Sequence, residues 1–112
     1  MTSLRAGDIV WADFDPVRGS EQGGVRPAIV LTSVEFHTAS TKAIVCPITR
    51  NPVPWPTKIA LAEGMRSKGF VLADQIRTLH RSGRGFRLIE HAPDEVLAHV
   101  RGIVASVLGI SA

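Results

Sequence analysis

The chain has 112 residues, 45% hydrophobic and 21% charged, a length and composition that fit one globular domain and exclude intrinsic disorder. No apolar run approaches the ~20 residues of a membrane span, and the start MTSLRAGD lacks the apolar stretch of a secretory signal, so neither membrane residence nor export is expected. The net charge of +3 is unevenly spread: residues 50–87 hold eight basic and two acidic side chains, net +6, between a first stretch of net −1 and a last of net −2.

Aromatic residues are scarce at 5%, with no Tyr, so the expected core is aliphatic. Ten of the thirteen basic residues are Arg, the side chain suited to bidentate contact with phosphate. The basic stretch therefore points to a polyanionic partner, nucleic acid or an acidic protein segment, with an ordinary solvated surface as the competing reading. The single Cys46 can form neither an internal disulfide nor a cysteine metal cluster, which fits a reducing cytoplasm.

The first predicted element, Asp8 to Phe14, is a strand with Ile9, Trp11 and Asp13 on one face and Val10, Ala12 and Phe14 on the other. Asp15-Pro16 stops it, and Gly19, Gly23 and Gly24 mark a mobile loop. Arg26 to Thr32 reads as an interior strand whose Pro27 must lie at its beginning or at an edge, since proline has no N–H for the ladder. Val34 to Lys42 has room for a short helical turn, and Ala43 to Ile48 is a third strand.

Asn51 to Pro56, with three prolines, is an extended loop before a short strand at Lys58 to Leu61. Gly69–Ala73 and Gln75–Leu79 are two further strands hinged at Asp74, and Phe86 to Glu90 closes the β portion. The period then changes. Pro93 suits a first helical position, Asp94 and Glu95 place negative charge at the positive end of the dipole, and Val96, Leu97, Val100, Ile103, Val104, Val107 and Leu108 recur at helical spacing up to Gly109. The expected architecture over residues 1–112 is a single domain, a small β-barrel crossed by one C-terminal amphipathic helix. In it Trp11 belongs to the core, while Trp55 is exposed among prolines and able to stack on a base.

The chain has no phosphate-binding Gly-Lys-Ser/Thr loop and no Gly-x-Gly-x-x-Gly after a strand. His37, His80, His91 and His99 are scattered without ligand spacing, so no metal centre is expected. His80 and His91 would be the acid/base pair of a metal-free ribonuclease, but an Arg-rich turn and a helix start favour surface positions for them. A stronger signal is polar residues at strand ends: Asp13-Phe14-Asp15-Pro16, Gly19-Ser20-Glu21-Gln22, Arg26-Pro27, Thr49 after Cys46-Pro47-Ile48, and Leu72-Ala73-Asp74-Gln75-Ile76.

In this order, and together with Gly7-Asp8-Ile9-Val10-Trp11 and the Pro93-Asp94-Glu95 helix start, the motifs resemble the MazF/PemK (Kid-like) toxin family of bacterial type II toxin–antitoxin systems. The likeness runs from about Gly7 to Leu108. It implies an SH3-like barrel with a C-terminal helix, a homodimer, and a sequence-selective endoribonuclease that cuts single-stranded RNA without metal or cofactor. The products would carry 2′,3′-cyclic phosphate and 5′-hydroxyl ends. It also implies a cognate antitoxin, for which an acidic, disordered tail would suit the basic surface.

By the same resemblance Arg26 and Thr49 form the catalytic pair. A guanidinium and a hydroxyl aimed at phosphorane oxygens stabilise charge where it develops, and a side chain with a pKa above about 12 is a poor base. Glu21 and solvent remain open as the base. The expected RNA-binding residues are Ser20, Gln22, Arg50, Trp55, Asp74, Gln75, Arg77, Arg81, Arg84 and Arg87. Plainer roles compete: Arg26 pairing with Asp13 or Asp15, Thr49 bonding backbone, and Asp74 and Gln75 satisfying a strand crossing. The Pro-rich loop after Thr49 departs from the family pattern, so no cleavage sequence carries over. The alternative function is a CcdB-like toxin that binds DNA gyrase without catalysis, for which Arg26 and Thr49 would have no use.

Overall fold

A computed structural model describes residues 3–15, 19 and 23–110. The elements run β1 (Asp8–Asp13), β2 (Val25–Val30), α1 (Val34–Ala39), β3 (Lys42–Thr49), β4 (Lys58–Ala60), β5 (Phe70–Leu72), β6 (Arg77–His80), β7 (Arg87–His91) and α2 (Asp94–Leu108). All strand pairs are antiparallel, in the order β4-β5-β3-β2-β1-β7, with β6 also on β3.

The alternation read in β1 is what builds the core. Ile9 joins Ile29, Cys46, Ile48, Val71, Val96 and Val100 on one side of the sheet. Val10, Ala12 and Phe14 join Ala28, Val30, Val45 and Leu79 on the other. Both faces of β1, β2 and β3 are thus covered, one by α2 with β4 and β5, the other by β6 with Leu4 and Phe86. The mainly-β fold with one C-terminal helix is as expected, but the sheet is not closed.

The path ends at β4 and β7 without pairing them, and β3 changes neighbours along its length. Lys42–Val45 pair with β6, whereas Ile48 and Thr49 pair with β5. Cys46 and Pro47 fall between the two, and a proline with no N–H to give suits such a gap. The expectation that Pro27 starts a strand or lies at an edge needs the same refinement. β2 is a central strand, but its pairing with β3 begins only at Ala28, so Pro27 has β1 alone beside it.

In α2 the buried stripe runs through Val96 and Val100, and Leu97, Ile103 and Val104 pack at its margins. Pro93 is the cap rather than the first helical residue, with ψ of 146° and no side-chain cap bond. Gly109, at φ 73°, closes the helix in the left-handed conformation that glycine adopts without penalty. At the helix start, His91 Nδ1 and the buried Asp8 Oδ1 are 2.9 Å apart. Gly7 packs on that imidazole so closely that an added Cβ would lie 2.9 Å from it.

Candidate nucleic-acid interface

β2 delivers Arg26 and β3 delivers Thr49. The β2–β3 pairing reaches Ala28 and Pro47 and stops short of both residues: Arg26 pairs with Ala12 of β1, and Thr49 with Phe70 of β5. Arg26 is half-buried, and its Nε–H donates to the Gly23 carbonyl at 2.9 Å. The suggested pairing with Asp13 or Asp15 is not what occurs. Asp13 Oδ1 accepts the Asp15 N–H at 3.0 Å, Asp15 Oδ1 accepts the Gly24 N–H at 2.9 Å, and neither forms an ion pair with Arg26. Among the described residues the Arg26 charge has no carboxylate partner.

Thr49 is buried, 5% exposed, and its Oγ1 accepts the Asn51 N–H at 3.2 Å. Gly69, at φ 118° just before β5, presses on it: a Cβ there would sit 2.2 Å from the Thr49 carbonyl oxygen. Only glycine allows that approach and that backbone angle together.

Beside this strand end lies a groove of about 350 Å³. Arg26, Arg50, Arg66 and Lys68 supply four positive side chains to its lining, with no acidic one among the described residues. Trp11, Val25, Pro27, Ile48 and Ile89 supply apolar surface. Trp11 is a correction to the expected core position: it is 37% exposed and lines the groove, although Ile9 on the same face of β1 is buried in the core. A neighbouring depression of about 290 Å³ shares Trp11 and Val25 and adds Arg84 and Arg87 together with the acidic Asp13.

The other expected RNA-binding residues are more dispersed. Ser20, Glu21 and Gln22 lie outside the described residues. Trp55 stands 63% exposed on the Pro-rich loop, which Lys58 staples by donating from Nζ to the Asn51 and Val53 carbonyls at 2.7 and 2.6 Å. Exposed Asp74 and half-buried Gln75 occupy the turn between β5 and β6, where the Gln75 N–H donates to the Leu72 carbonyl.

Arg77 donates from Nη1 to the Phe14 carbonyl at 2.6 Å and lies over the Phe14 ring. Arg81 donates from Nη2 to the His37 and Ser40 carbonyls at the end of α1, and it lines a separate depression with Leu4, Thr41 and Phe86. Arg84 donates from Nη1 to the Asp13 and Asp15 carbonyls. His80 contacts Thr41 and Ser82 through its two ring nitrogens, and half-buried His91 is engaged by Asp8, so each histidine has a local partner.

Sequence reasoning missed Glu90, on β7. Its Oε1 accepts the Arg66 N–H at 3.0 Å, and its Oε2 accepts both the Ser67 N–H and the Ser67 Oγ–H at 2.6 Å. Burial pushes this carboxyl up, but the Ser67 and Arg66 hydrogen bonds and the Arg66 charge outweigh it and hold Glu90 below its usual range. No local signal in the sequence marks a contact spanning 23 residues. Burial, with Asp74 adding to it, pushes the Cys46 thiol up to about 12, so this cysteine is an inert core residue. Among the described residues, no group of three or more His, Cys, Asp or Glu is placed to hold a metal ion, and no helix is long and apolar enough to cross a membrane.

Known proteins resemble this chain in sequence and fold. The family model for the PemK-like, MazF-like toxin of type II toxin–antitoxin systems matches residues 5–108. The endoribonuclease toxin MazF of Escherichia coli K12 is 37% identical over 79 residues, 70% of this chain and 70% of that protein. The crystal structure of MazF from Deinococcus radiodurans matches with a TM-score of 0.92 at 36% identity, covering 98% of this chain and 100% of that one. A MazE–MazF structure from the same organism matches at 0.84 and 32% identity, over 99% and 100% of the two chains. The family match spans both strands that carry Arg26 and Thr49 and the helix that closes the core, so the chain belongs to the PemK-like, MazF-like toxin family of type II toxin–antitoxin systems.

Proposed function

We propose that this protein is a sequence-selective endoribonuclease toxin that cuts single-stranded RNA in the cytoplasm without a metal and is neutralised by a cognate antitoxin. The observation that carries the reading is Arg26: a guanidinium that lines a groove with Arg50, Arg66 and Lys68, with no carboxylate to neutralise it among the described residues. Relatives named as endoribonucleases support the reaction class, and MazE–MazF neighbours support the antitoxin. The same relatives leave the gyrase-binding alternative unfavoured.

In the proposed reaction the ribose 2′-hydroxyl loses its proton to a base and its oxygen attacks the adjacent phosphorus. The bond to the 5′ oxygen then breaks, and that oxygen takes up a proton. The products are a 2′,3′-cyclic phosphate and a 5′-hydroxyl. Arg26 stabilises the charge that builds on the phosphorane oxygens, where a fixed donor lowers the barrier most. Thr49 Oγ1 accepts from Asn51, which leaves its own proton to donate. Glu21 and solvent are the candidate bases.

Arg50 and Arg87 add to the field that collects RNA, while Arg77, Arg81 and Arg84 act through the backbone they hold, Arg84 also lining the neighbouring depression. Trp55, Asp74 and Gln75, with Ser20 and Gln22, are further candidate contacts. We also propose a homodimer, because Val25, Leu88, Val107, Leu108 and Ile110 leave large apolar side chains uncovered.

Incubating RNA with the protein in EDTA and identifying the ends tests the reading. Cleavage with 2′,3′-cyclic phosphate and 5′-hydroxyl ends is expected. Loss of cleavage in EDTA, or 5′-phosphate ends, overturns it.

A further inference from the structure

The segment Met65 to Gly69 lies between β4 and β5, outside every element, yet it is held at alternate residues. Met65 is buried in the core, and Ser67, 6% exposed, is bound by Glu90 through both its N–H and its hydroxyl. Gly69 is pressed on the Thr49 carbonyl. The residues between these anchors, Arg66 and Lys68, are exposed and line the groove. Glu90 grips Arg66 only by its backbone N–H. Neither the Arg66 guanidinium nor the Lys68 ammonium forms an ion pair among the described residues.

Two cations without an ion-pair partner among the described residues, on an anchored segment that lines one groove with Arg26 and Arg50, form a site for more than one anionic group. The exposed indole of Trp11 in the same lining favours a ligand that combines phosphates with flat bases over an acidic polypeptide. We propose that Arg66 and Lys68 bind two backbone phosphates of single-stranded RNA, and that Glu90 is the positioning residue that holds them at the groove. This rests on the ribonuclease reading above and extends its substrate site to a segment outside the Arg26–Thr49 strand pair. A preformed site of this kind gains affinity because the ordering of the loop is not left to the moment of binding.

The test uses a fully 2′-O-methylated single-stranded RNA, which lacks the attacking hydroxyl and is not cut. Its affinity is measured across salt concentrations for the wild type, Arg66→Ala/Lys68→Ala, Glu90→Gln, and the three substitutions together. The double variant should bind more weakly, and its log–log salt slope should flatten by about 1.4, at about 0.7 for each phosphate no longer neutralised. Glu90→Gln should weaken binding alone but add nothing in the double-variant background, because its effect passes through those two side chains.

A double variant with wild-type affinity and slope overturns the site. So does a variant that loses affinity only for polyglutamate, which would assign the patch to an acidic polypeptide. An equal loss from Glu90→Gln in both backgrounds overturns the positioning role. Failure of the wild type itself to bind RNA contradicts the ribonuclease reading, a result distinct from all of these.

Discussion

A guanidinium carries five N–H donors and no acceptor, so its neighbours decide what it does. Arg77 and Arg81 spend donors on the carbonyls of Phe14, His37 and Ser40, which lie far from them in sequence, whereas Arg50 lies exposed at the groove. Replacing Arg77 or Arg81 by Ala should therefore cost stability, roughly 1.5–3 kcal/mol for the charged hydrogen bonds removed. Arg50→Ala should weaken RNA binding and leave the melt nearly unchanged. Thermal denaturation and RNA titration of the three variants check this. A basic side chain in an Arg-rich stretch reads the same in sequence whether it faces solvent or a carbonyl, and so the division among these arginines was not legible there.

Glu90 yields a pH prediction. Its folded-state carboxyl titrates below its ordinary value, so the folded state prefers the carboxylate. The stability it contributes is fully present above about pH 4.3 and is lost as the pH falls through the lowered folded value. The difference in melting temperature between wild type and Glu90→Gln should thus be constant near neutrality and shrink only below about pH 4. A difference that instead vanishes between pH 7 and 5 would assign the latch to another group.

At the scale of elements, period was the reliable signal. The alternation of β1 and the Val96–Val100 stripe of α2 follow from spacing, whereas Trp11, Val107 and Leu108 are exposed against expectation. The shift of β3 from β6 to β5 does not follow from spacing, because it depends on which strands lie beside it. Nor does spacing give the exposure of Trp11, which lines the groove while Ile9 on the same face of β1 is buried. Gly69 tests this packing. In Gly69→Ala the new Cβ would overlap the Thr49 carbonyl and take a positive φ, so β3 and β5 must part at the end that bears Thr49. A loss of about 1–3 kcal/mol in denaturant unfolding is expected, with slower cleavage. Wild-type stability and rate would mean that the strand end tolerates displacement.

Across the whole molecule, positive charge gathers in residues 50–87 while apolar side chains stay exposed at the end of α2 and beside β1. The charge was legible in sequence; its division between groove and carbonyls was not. A partner rich in acidic residues should occupy the surface that RNA uses, so antitoxin and RNA should compete, and antitoxin binding should weaken as salt rises. Native mass spectrometry with a competition titration checks both points. An active monomer contradicts the homodimer, and a ternary complex contradicts the shared surface.

The ribonuclease reading rests on Arg26 acting on the phosphate rather than bracing the loop through Gly23. The most direct measurement is the single-turnover cleavage rate of Arg26→Ala against wild type on one RNA, with the melts of both proteins recorded. A drop of roughly 10²-fold or more with an unchanged melt is the predicted result. Normal cleavage, or loss of cleavage accompanied by unfolding, would contradict it.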